Sequence, residues 1–226
     1  MLVLTWNLYH GRAVPPAGRD LQEAFAAALA GWPWDVALLQ EVPPWWPPAL
    51  AAAAGADHAC ALTSRNQLLP VRRALARRAP DLMRSGGGGA NAILVRGRRI
   101  DVHVRRRLRV WPERRVVHAV RLEPGGVWVA NLHAQAHSDE RARADLEHAA
   151  AALLRWARFE TPAILGGDLN ARVPRAEGFA PIGGHDVDHV LARGLAAARP
   201  VRTLDRGALS DHAPVLVELR RHNGWT

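Results

Sequence analysis

The chain has 226 residues, a formal net charge of +9 and a single cysteine, Cys60. One cysteine excludes an intrachain disulfide and a zinc-thiolate cluster, and no apolar run is long enough to predict a transmembrane helix or a signal peptide. The length suits one domain, residues 1–226, and the positive charge favours polyanionic partners such as nucleic acid, phosphorylated small molecules or an anionic membrane surface. We expect a cytoplasmic, monomeric protein.

Strands and helices alternate through the first half of the chain. Apolar segments that end in polar or turn residues predict strands over residues 2–7, 36–39, 57–62 and 91–95. Helical periodicity predicts helices over residues 20–30 and 68–78. The sequence SGGGG at residues 85–89 predicts a flexible loop.

The segment VPPWWPPAL, residues 42–50, has too many prolines for a strand and too many tryptophans for an ordinary solvent loop. We expect Trp45 and Trp46 to fold back onto the core, where their large rings bury apolar surface. The alternative is an exposed aromatic platform that stacks a base or touches lipid.

Further strands are predicted over residues 100–110, 116–122 and 127–132, and a long helix begins after Ser138, a suitable N-cap, and ends near residue 158. Arg105, Arg106 and Arg107 are expected on a solvated strand face. After the next strand, at residues 163–165, we expect strands at 187–191, 202–204 and 214–219. Strands with helices inserted between them predict an α/β sandwich.

The stretch TPAILGGDLN, residues 161–170, combines an apolar strand with two glycines that are expected to end it. Asp168 and Asn170 follow two residues apart, so in extended backbone they would point to one side. A carboxylate beside an amide suits a hard cation and a phosphoryl oxygen, although GDLN is also good turn chemistry.

Short polar side chains end or follow most of the predicted strands. In chain order they are Asn7, Glu41, Asn131, His133, Asp168, Asn170, Asp188, Asp211 and His212. Each one alone is explained as a turn former, a cap or a rim histidine. Their joint occurrence predicts one pocket to which many strands contribute.

The motifs TWN, LLQEV, NLH, GGDLN, VDHVL and LSDHAPV, in this order, resemble the endonuclease/exonuclease/phosphatase superfamily, the deoxyribonuclease-I-like metal-dependent phosphoesterases. The resemblance extends from Asn7 to Val215. It implies a four-layer α/β sandwich in which two face-to-face mixed β-sheets are flanked by helices, with the site at one end.

The same resemblance implies a divalent cation, Mg²⁺ or Mn²⁺, with Glu41 as its main ligand and Asn7 and Asp211 close to the same ion. Glutamate and aspartate oxygens are the hard ligands that these cations prefer. Cys60 lies in no nucleophile motif, so we expect direct attack by water rather than a covalent intermediate.

Roles in the reaction follow from the resemblance for five further residues. Asp168 and Asn170 would position the attacking water and a phosphoryl oxygen. His212 would be the general base, oriented by Asp188, since a histidine with a carboxylate partner is an effective base near neutral pH. His133 would contact the phosphate or assist the leaving group.

Substrate contacts are implied for Asn91, Arg114 and Asn131. We expect a phosphodiesterase that acts on nucleic acid, in short a nuclease. A phosphomonoesterase, a lipid or inositol-phosphate phosphoesterase, and a catalytically silent nucleic-acid-binding relative remain alternatives, because one fold and one catalytic set serve several substrates. The complete polar set favours an enzyme over the silent relative.

Overall fold

A computed structural model describes residues 1–63, 66, 68–79, 81, 89–158 and 161–221. The predicted loop of residues 85–89 lies outside the described residues except for Gly89. The described residues form two mixed β-sheets with helices on their outer faces, which confirms the predicted α/β sandwich.

The first sheet contains seven strands. In chain order they are β1 (Leu2–Asn7), β2 (Val36–Val42), β3 (Asp57–Leu62), β4 (Ala90–Val95), β11 (Leu195–Ala197), β12 (Arg202–Thr203) and β13 (Val215–Arg221). They lie side by side in the order β11-β13-β1-β2-β4-β3, and β12 also pairs with β13. Strands β1 and β2 are parallel, whereas the other pairs in this sheet are antiparallel.

The second sheet contains six strands. They are β5 (Arg99–Arg109), β6 (Arg115–Glu123), β7 (Val127–His133), β8 (Ala163–Asp168), β9 (Ala180–His185) and β10 (Asp188–Arg193). Their order is β5-β6-β7-β8-β10-β9. Only β7 and β8 run parallel among these described pairs, so each sheet contains one parallel pair.

Four helices are described: α1 (Gln22–Gly31), α2 (Pro47–Ala54), α3 (Leu69–Arg78) and α4 (Asp139–Ala157). Apolar side chains of α1 and α2, such as Phe25 and Leu50, pack with Trp6 on the outer face of the first sheet. Helix α4 covers the outer face of the second sheet through Leu146 and Leu153. As predicted, Ser138 caps α4, where its Oγ accepts a hydrogen bond from the Arg141 N–H.

The two sheets pack against each other through a layer of apolar side chains. Val3, Leu38 and Ile93 of the first sheet meet Val129 and Ile164 of the second. These five side chains are fully buried. The layer fixes the two sheets face to face, so that strand ends from both sheets can reach one site.

The Pro- and Trp-rich segment differs from its prediction in one respect. It contains the first turns of α2, because Pro47 and Pro48 occupy initial helical positions that need no backbone N–H donor. Trp46 is 3% exposed and Trp45 packs partly against the same core. The prediction that both rings fold onto the core is therefore confirmed.

Strand β8 also differs, since it continues through both glycines and ends at Asp168. A Cβ on Gly166 would lie 2.8 Å from Leu38 Cδ1, and one on Gly167 would lie 1.9 Å from the Leu132 carbonyl oxygen. The glycines therefore permit close packing within the strand rather than ending it. Strands β9 and β11 were not predicted.

Each parallel pair is joined by a helix: α1 connects β1 to β2, and α4 connects β7 to β8. Asn7 ends β1 and Asp168 ends β8, and their side chains are hydrogen-bonded. The carboxyl ends of the two parallel pairs therefore meet at one end of the sandwich. Among the described helices, none is both long and apolar enough to cross a bilayer.

Candidate active site

A cleft of about 530 Å³ opens where these strand ends meet. The predicted site residues that line it are Asn7, Glu41, His133, Asp168, Asn170, Asp211 and His212. The residues come from β1, β2, β7, the end of β8 and the loop before β13. The predicted convergence of polar strand ends on one pocket is thus observed for these seven side chains.

Asp188 lies behind His212 at the start of β10. Its Oδ2 is 2.7 Å from Nδ1 of His212, which leaves Nε2 of His212 4.0 Å from Oδ2 of Asp168. Asp188 is 3% exposed, and its other oxygen, Oδ1, has no hydrogen-bond partner among the described residues. The pair therefore holds the imidazole in one orientation, with Nε2 toward the cleft.

The charges of the carboxylates around His212 dominate its protonation. Burial lowers the pKa of His212, but the hydrogen bond to Asp188 and the charges of Asp188, Asp168 and Asp211 outweigh burial and raise the pKa to about 9. Burial also raises the pKa of Asp168, to about 7, and the charge of Asp188 adds to that shift. Burial raises the pKa of Asp188 as well, although His212 opposes the shift.

Asp168 is held from three sides. Its Oδ2 accepts a hydrogen bond from Asn7 Nδ2 at 2.9 Å and lies 3.4 Å from His133 Nε2. Its Oδ1 accepts the backbone N–H of Asn170 at 3.1 Å. Asn170 has a φ of 47°, so it reaches the cleft through a turn rather than through the extended backbone that the sequence suggested.

His133 ends β7 and is 7% exposed. Burial, together with the positive charge of Arg115, holds the pKa of His133 well below its usual value, although Glu41 opposes the shift. His133 is therefore neutral at physiological pH. A neutral imidazole can donate one hydrogen bond to an anion and accept another.

Glu41 lies on the first-sheet side of the cleft with a φ of 50°. Its Oε2 is 3.0 Å from Nε2 of His10, a residue that sequence reasoning missed. Burial raises the pKa of Glu41, but the contact with His10 and the charges of His133 and His212 outweigh it and lower the pKa to about 2. Glu41 is therefore ionised at neutral pH.

Ser210 joins the loop before β13 to the end of β1, and nothing in the sequence singled it out beyond its place in LSDHAPV. Its Oγ donates to the Asn7 carbonyl oxygen at 2.6 Å and accepts the His212 N–H at 3.0 Å. The indole N–H of Trp6 donates to the His212 carbonyl oxygen. These contacts fix Asp211 and His212 relative to the strand that carries Asn7.

Asn131 and Asn91 are fully buried and lie outside the lining of the cleft. The Asn131 amide donates to the Leu39 and Ala92 carbonyl oxygens, while its Oδ1 accepts from Gln40 at 2.8 Å. Both N–H bonds of that amide are therefore used within the protein. Asn131 links the two sheets below the site instead of facing the open cleft.

Arg114 also lies outside the cleft lining, since its guanidinium donates to the Thr63 and Leu62 carbonyl oxygens. Its neighbour Arg115 lines the cleft beside Glu113, with which it forms an ion pair. Arg115 is 5% exposed, and its Nε has no hydrogen-bond partner among the described residues. Arg115 is the first residue of β6 and Arg114 precedes the strand, so the choice between the two arginines depends on where the strand begins, which sequence alone did not show.

Comparisons with known proteins agree with this arrangement. Residues 4–212 match the Endonuclease/Exonuclease/phosphatase family. The chain belongs to this family. No curated protein sequence was matched.

Solved structures share the fold of this family member at low sequence identity. An endonuclease/exonuclease/phosphatase from Beutenbergia cavernae is 22% identical, with a TM-score of 0.72 over 98% of this chain and 71% of the other. A mannosyl-6-phosphatase from Bacteroides thetaiotaomicron is 15% identical, with a TM-score of 0.69 over 97% and 99%. C. elegans TDP2 is 15% identical, with a TM-score of 0.66 over 96% and 74%.

Enzymes of this endonuclease/exonuclease/phosphatase family typically use divalent metals, and two acidic positions in the cleft suit such a cation. Glu41 is ionised, and the Tyr9 N–H is the one donor to Asn7 Oδ1 among the described residues, so each has an oxygen lone pair to spare. Asp211 is exposed at the rim. These hard oxygen donors fit Mg²⁺ or Mn²⁺.

The second position is the group formed by Asp168, Asp188 and His212, whose candidate ligand atoms lie within 4.8 Å of one another in the described part of the chain. Nδ1 of His212 and Oδ2 of Asp188 already contact each other there. The group can therefore serve either as a metal site or as a proton-handling unit.

Proposed function

We propose that this protein is a divalent-metal-dependent phosphoesterase that hydrolyses a phosphodiester in nucleic acid by direct attack of water. The observation that carries the proposal is the Asp188–His212 pair, with Nε2 of His212 directed into the cleft that Glu41 also lines. An oriented imidazole and an ionised carboxylate in one cleft are what metal-assisted hydrolysis of an ester requires.

Glu41, with Asn7 and Asp211, would hold the cation in this proposal. A bound Mg²⁺ or Mn²⁺ supplies Lewis-acid polarisation of a phosphoryl oxygen and positive charge that favours the neutral form of nearby imidazoles. His10 contacts one Glu41 oxygen and thereby fixes the direction of the carboxylate.

The neutral imidazole of His212, the form that a nearby cation favours, takes the proton from the attacking water at Nε2. Asp188 holds Nδ1 and stabilises the imidazolium that results. Asp168 lies 4.0 Å from the same Nε2 and can accept the second hydrogen of that water. The amide of Asn7 keeps Asp168 in place.

The phosphate is bound on the second-sheet side of the cleft. His133 is neutral and donates a hydrogen bond without adding charge, while Arg115 offers a buried guanidinium with a free Nε. A guanidinium beside the site balances the charge that develops on phosphoryl oxygens. The net charge of +9 supports nucleic acid as the source of that phosphate.

The test is a substrate panel with Mg²⁺ and with Mn²⁺: single-stranded DNA, plasmid, RNA, an inositol phosphate, sphingomyelin and a sugar phosphate. We expect cleavage of a nucleic acid, its loss in EDTA, and its loss in His212→Ala. The control is His148→Ala, which changes an exposed histidine on α4.

Hydrolysis of the sugar phosphate alone would replace the proposal by a phosphomonoesterase. Hydrolysis of sphingomyelin or the inositol phosphate alone would replace it by a lipid or inositol-phosphate phosphoesterase. Binding of nucleic acid with no hydrolysis of any substrate would indicate a silent relative. Activity that persists in EDTA would contradict the metal requirement.

A further inference from the structure

A second groove opens beside the catalytic cleft, between the N-terminal half of α4 and the loop that follows β8. Its volume is about 920 Å³, larger than that of the cleft itself. Asn170 lines both, so the groove begins at the edge of the site. A ligand that extends beyond the reacting phosphate can therefore continue directly into it.

Three arginines line the groove: Arg143 on α4, and Arg172 and Arg175 in the loop after β8. Arg172 forms an exposed ion pair with Asp186 at 3.1 Å. Arg143 and Arg175 are exposed and have no ion pair or hydrogen bond to any described residue. Two guanidinium groups therefore face the groove without an internal partner.

The other side chains that line the groove are both acidic and apolar. Asp139 and Glu147 on α4 supply carboxylates, and Val173, 76% exposed, supplies an apolar surface. Arg143 lies one helical turn from both carboxylates, but forms no ion pair with either. Carboxylates accept hydrogen bonds from sugar hydroxyls and base amino groups, and an exposed apolar side chain packs against sugar or base faces.

We propose that this groove binds the nucleotides next to the scissile bond in a single nucleic-acid strand, with Arg143 and Arg175 on the backbone phosphates. This inference rests on the proposed function, because the groove would bind the part of the same substrate that extends beyond the cleft. A nucleic-acid strand has a group to match each kind of side chain in the groove. Its phosphates match the arginines, its hydrogen-bond donors match the carboxylates, and the apolar faces of its rings match Val173. A compact phosphomonoester would fill the cleft and leave the groove unused.

The experiment compares two ligands by fluorescence anisotropy: a labelled single strand of about a dozen nucleotides, a length within the usual site sizes for single strands, and a labelled dinucleotide. Binding is measured in the His212→Ala background with Mg²⁺, so that the ligands stay intact. The variant is Arg143→Ala/Arg175→Ala. The matched control is Arg155→Ala, an exposed arginine of the same helix that lines neither the groove nor the cleft.

We expect the double variant to weaken strand binding about tenfold and to lower the slope of log K against log salt by about 0.7 per lost phosphate contact. Dinucleotide binding should stay unchanged, and Arg155→Ala should behave as the parent does. Equal binding of strand and dinucleotide by the parent, or an unchanged salt slope in the double variant, would overturn the inference.

Hydrolysis of the dinucleotide by the wild-type protein keeps the two proposals separate. If the dinucleotide is hydrolysed but the strand shows no added affinity, the groove proposal fails and the proposed function stands. If no phosphodiester is hydrolysed, the proposed function fails whatever the binding data show.

Discussion

Nδ1 of His212 lies 2.7 Å from Oδ2 of Asp188, and this contact joins the loop before β13 to the first residue of β10. The two residues are 24 positions apart in sequence: the loop with His212 leads into the first sheet, whereas β10 belongs to the second. One carboxylate therefore fixes both the tautomer and the direction of the imidazole that faces the cleft.

In the proposed mechanism His212 and Asp188 act as one unit, so the losses of kcat from the two substitutions should not add. His212→Ala should lower kcat by about 10²-fold or more, the usual contribution of a general base, and Asp188→Asn should cost less. The double variant should be little worse than His212→Ala alone. Steady-state kinetics on the three variants measure this, and fully additive losses would show that the residues act independently.

His189 provides the matched control for these three variants. It follows Asp188, but its Nε2 contacts the Asp186 carbonyl oxygen at 2.8 Å, away from the cleft. We expect His189→Ala to keep a nearly normal kcat.

The second prediction concerns the metal. Glu41→Gln should weaken Mg²⁺ binding, because it removes the charge of an ionised carboxylate and keeps its shape. Asp188→Asn should leave Mg²⁺ affinity nearly unchanged while it lowers kcat. Isothermal titration calorimetry on both variants decides between the two acidic positions: the reverse pattern would place the cation at Asp168, Asp188 and His212.

The third prediction concerns Asn131, whose amide joins the two sheets. Asn131→Ala leaves the Leu39 and Ala92 carbonyl oxygens without their donor, so it should lower the free energy of unfolding by about 2 kcal/mol or more. Urea unfolding measures this.

Asn170→Gly is the comparison for Asn131→Ala, since glycine tolerates the positive φ at that position. It should lower kcat/KM with little change in stability. If Asn131→Ala instead raised KM at unchanged stability, Asn131 would contact substrate after all.

The fourth prediction is a pH dependence of stability that arises outside the cleft lining, at His118. Burial, reinforced by the neighbouring His103, lowers the pKa of His118 from 6.5 to about 3. Between these values the unfolded chain binds a proton that the folded chain does not, so the free energy of unfolding falls as the pH falls. The slope from this residue reaches about 1.4 kcal/mol per pH unit.

His118→Gln should therefore flatten the loss of stability between about pH 6.5 and about pH 5. His148→Gln, at an exposed position on α4, should keep the wild-type slope. Urea unfolding across this pH range is the measurement, and identical slopes in all three proteins would show that His118 is protonated in the folded state.

Much of this architecture follows from the sequence, because apolar strands and amphipathic helices obey simple periodicities. Strand β3 and helix α4 were predicted within a residue or so of their observed ends. Helix α2 was missed because its prolines suggested a loop. Strand β9 was missed because Gly183 and Gly184 obscured it, yet these glycines allow close contact with Val201 and His189.

The candidate site, like the fold, was predicted in part from the sequence. Polar residues at strand ends predicted the cleft lining, since the carboxyl ends of parallel strands meet. Sequence could not show that Asn131 points between the sheets, or that Arg115 rather than Arg114 faces the cleft, because each depends on strand phase. His10 was missed because only its backbone turn, with a φ of 55°, brings it to Glu41.

The hydrogen bond between Asn7 and Asp168 spans 161 residues, and the one from Trp6 to the His212 carbonyl oxygen spans 206. Strand β13 follows the other strands of the first sheet in chain order and lies next to β1. Contacts so distant in sequence are costly to close and form late in folding. The cleft is therefore assembled only when β13 has joined the first sheet and has brought the loop with Asp211 and His212 to the end of β1.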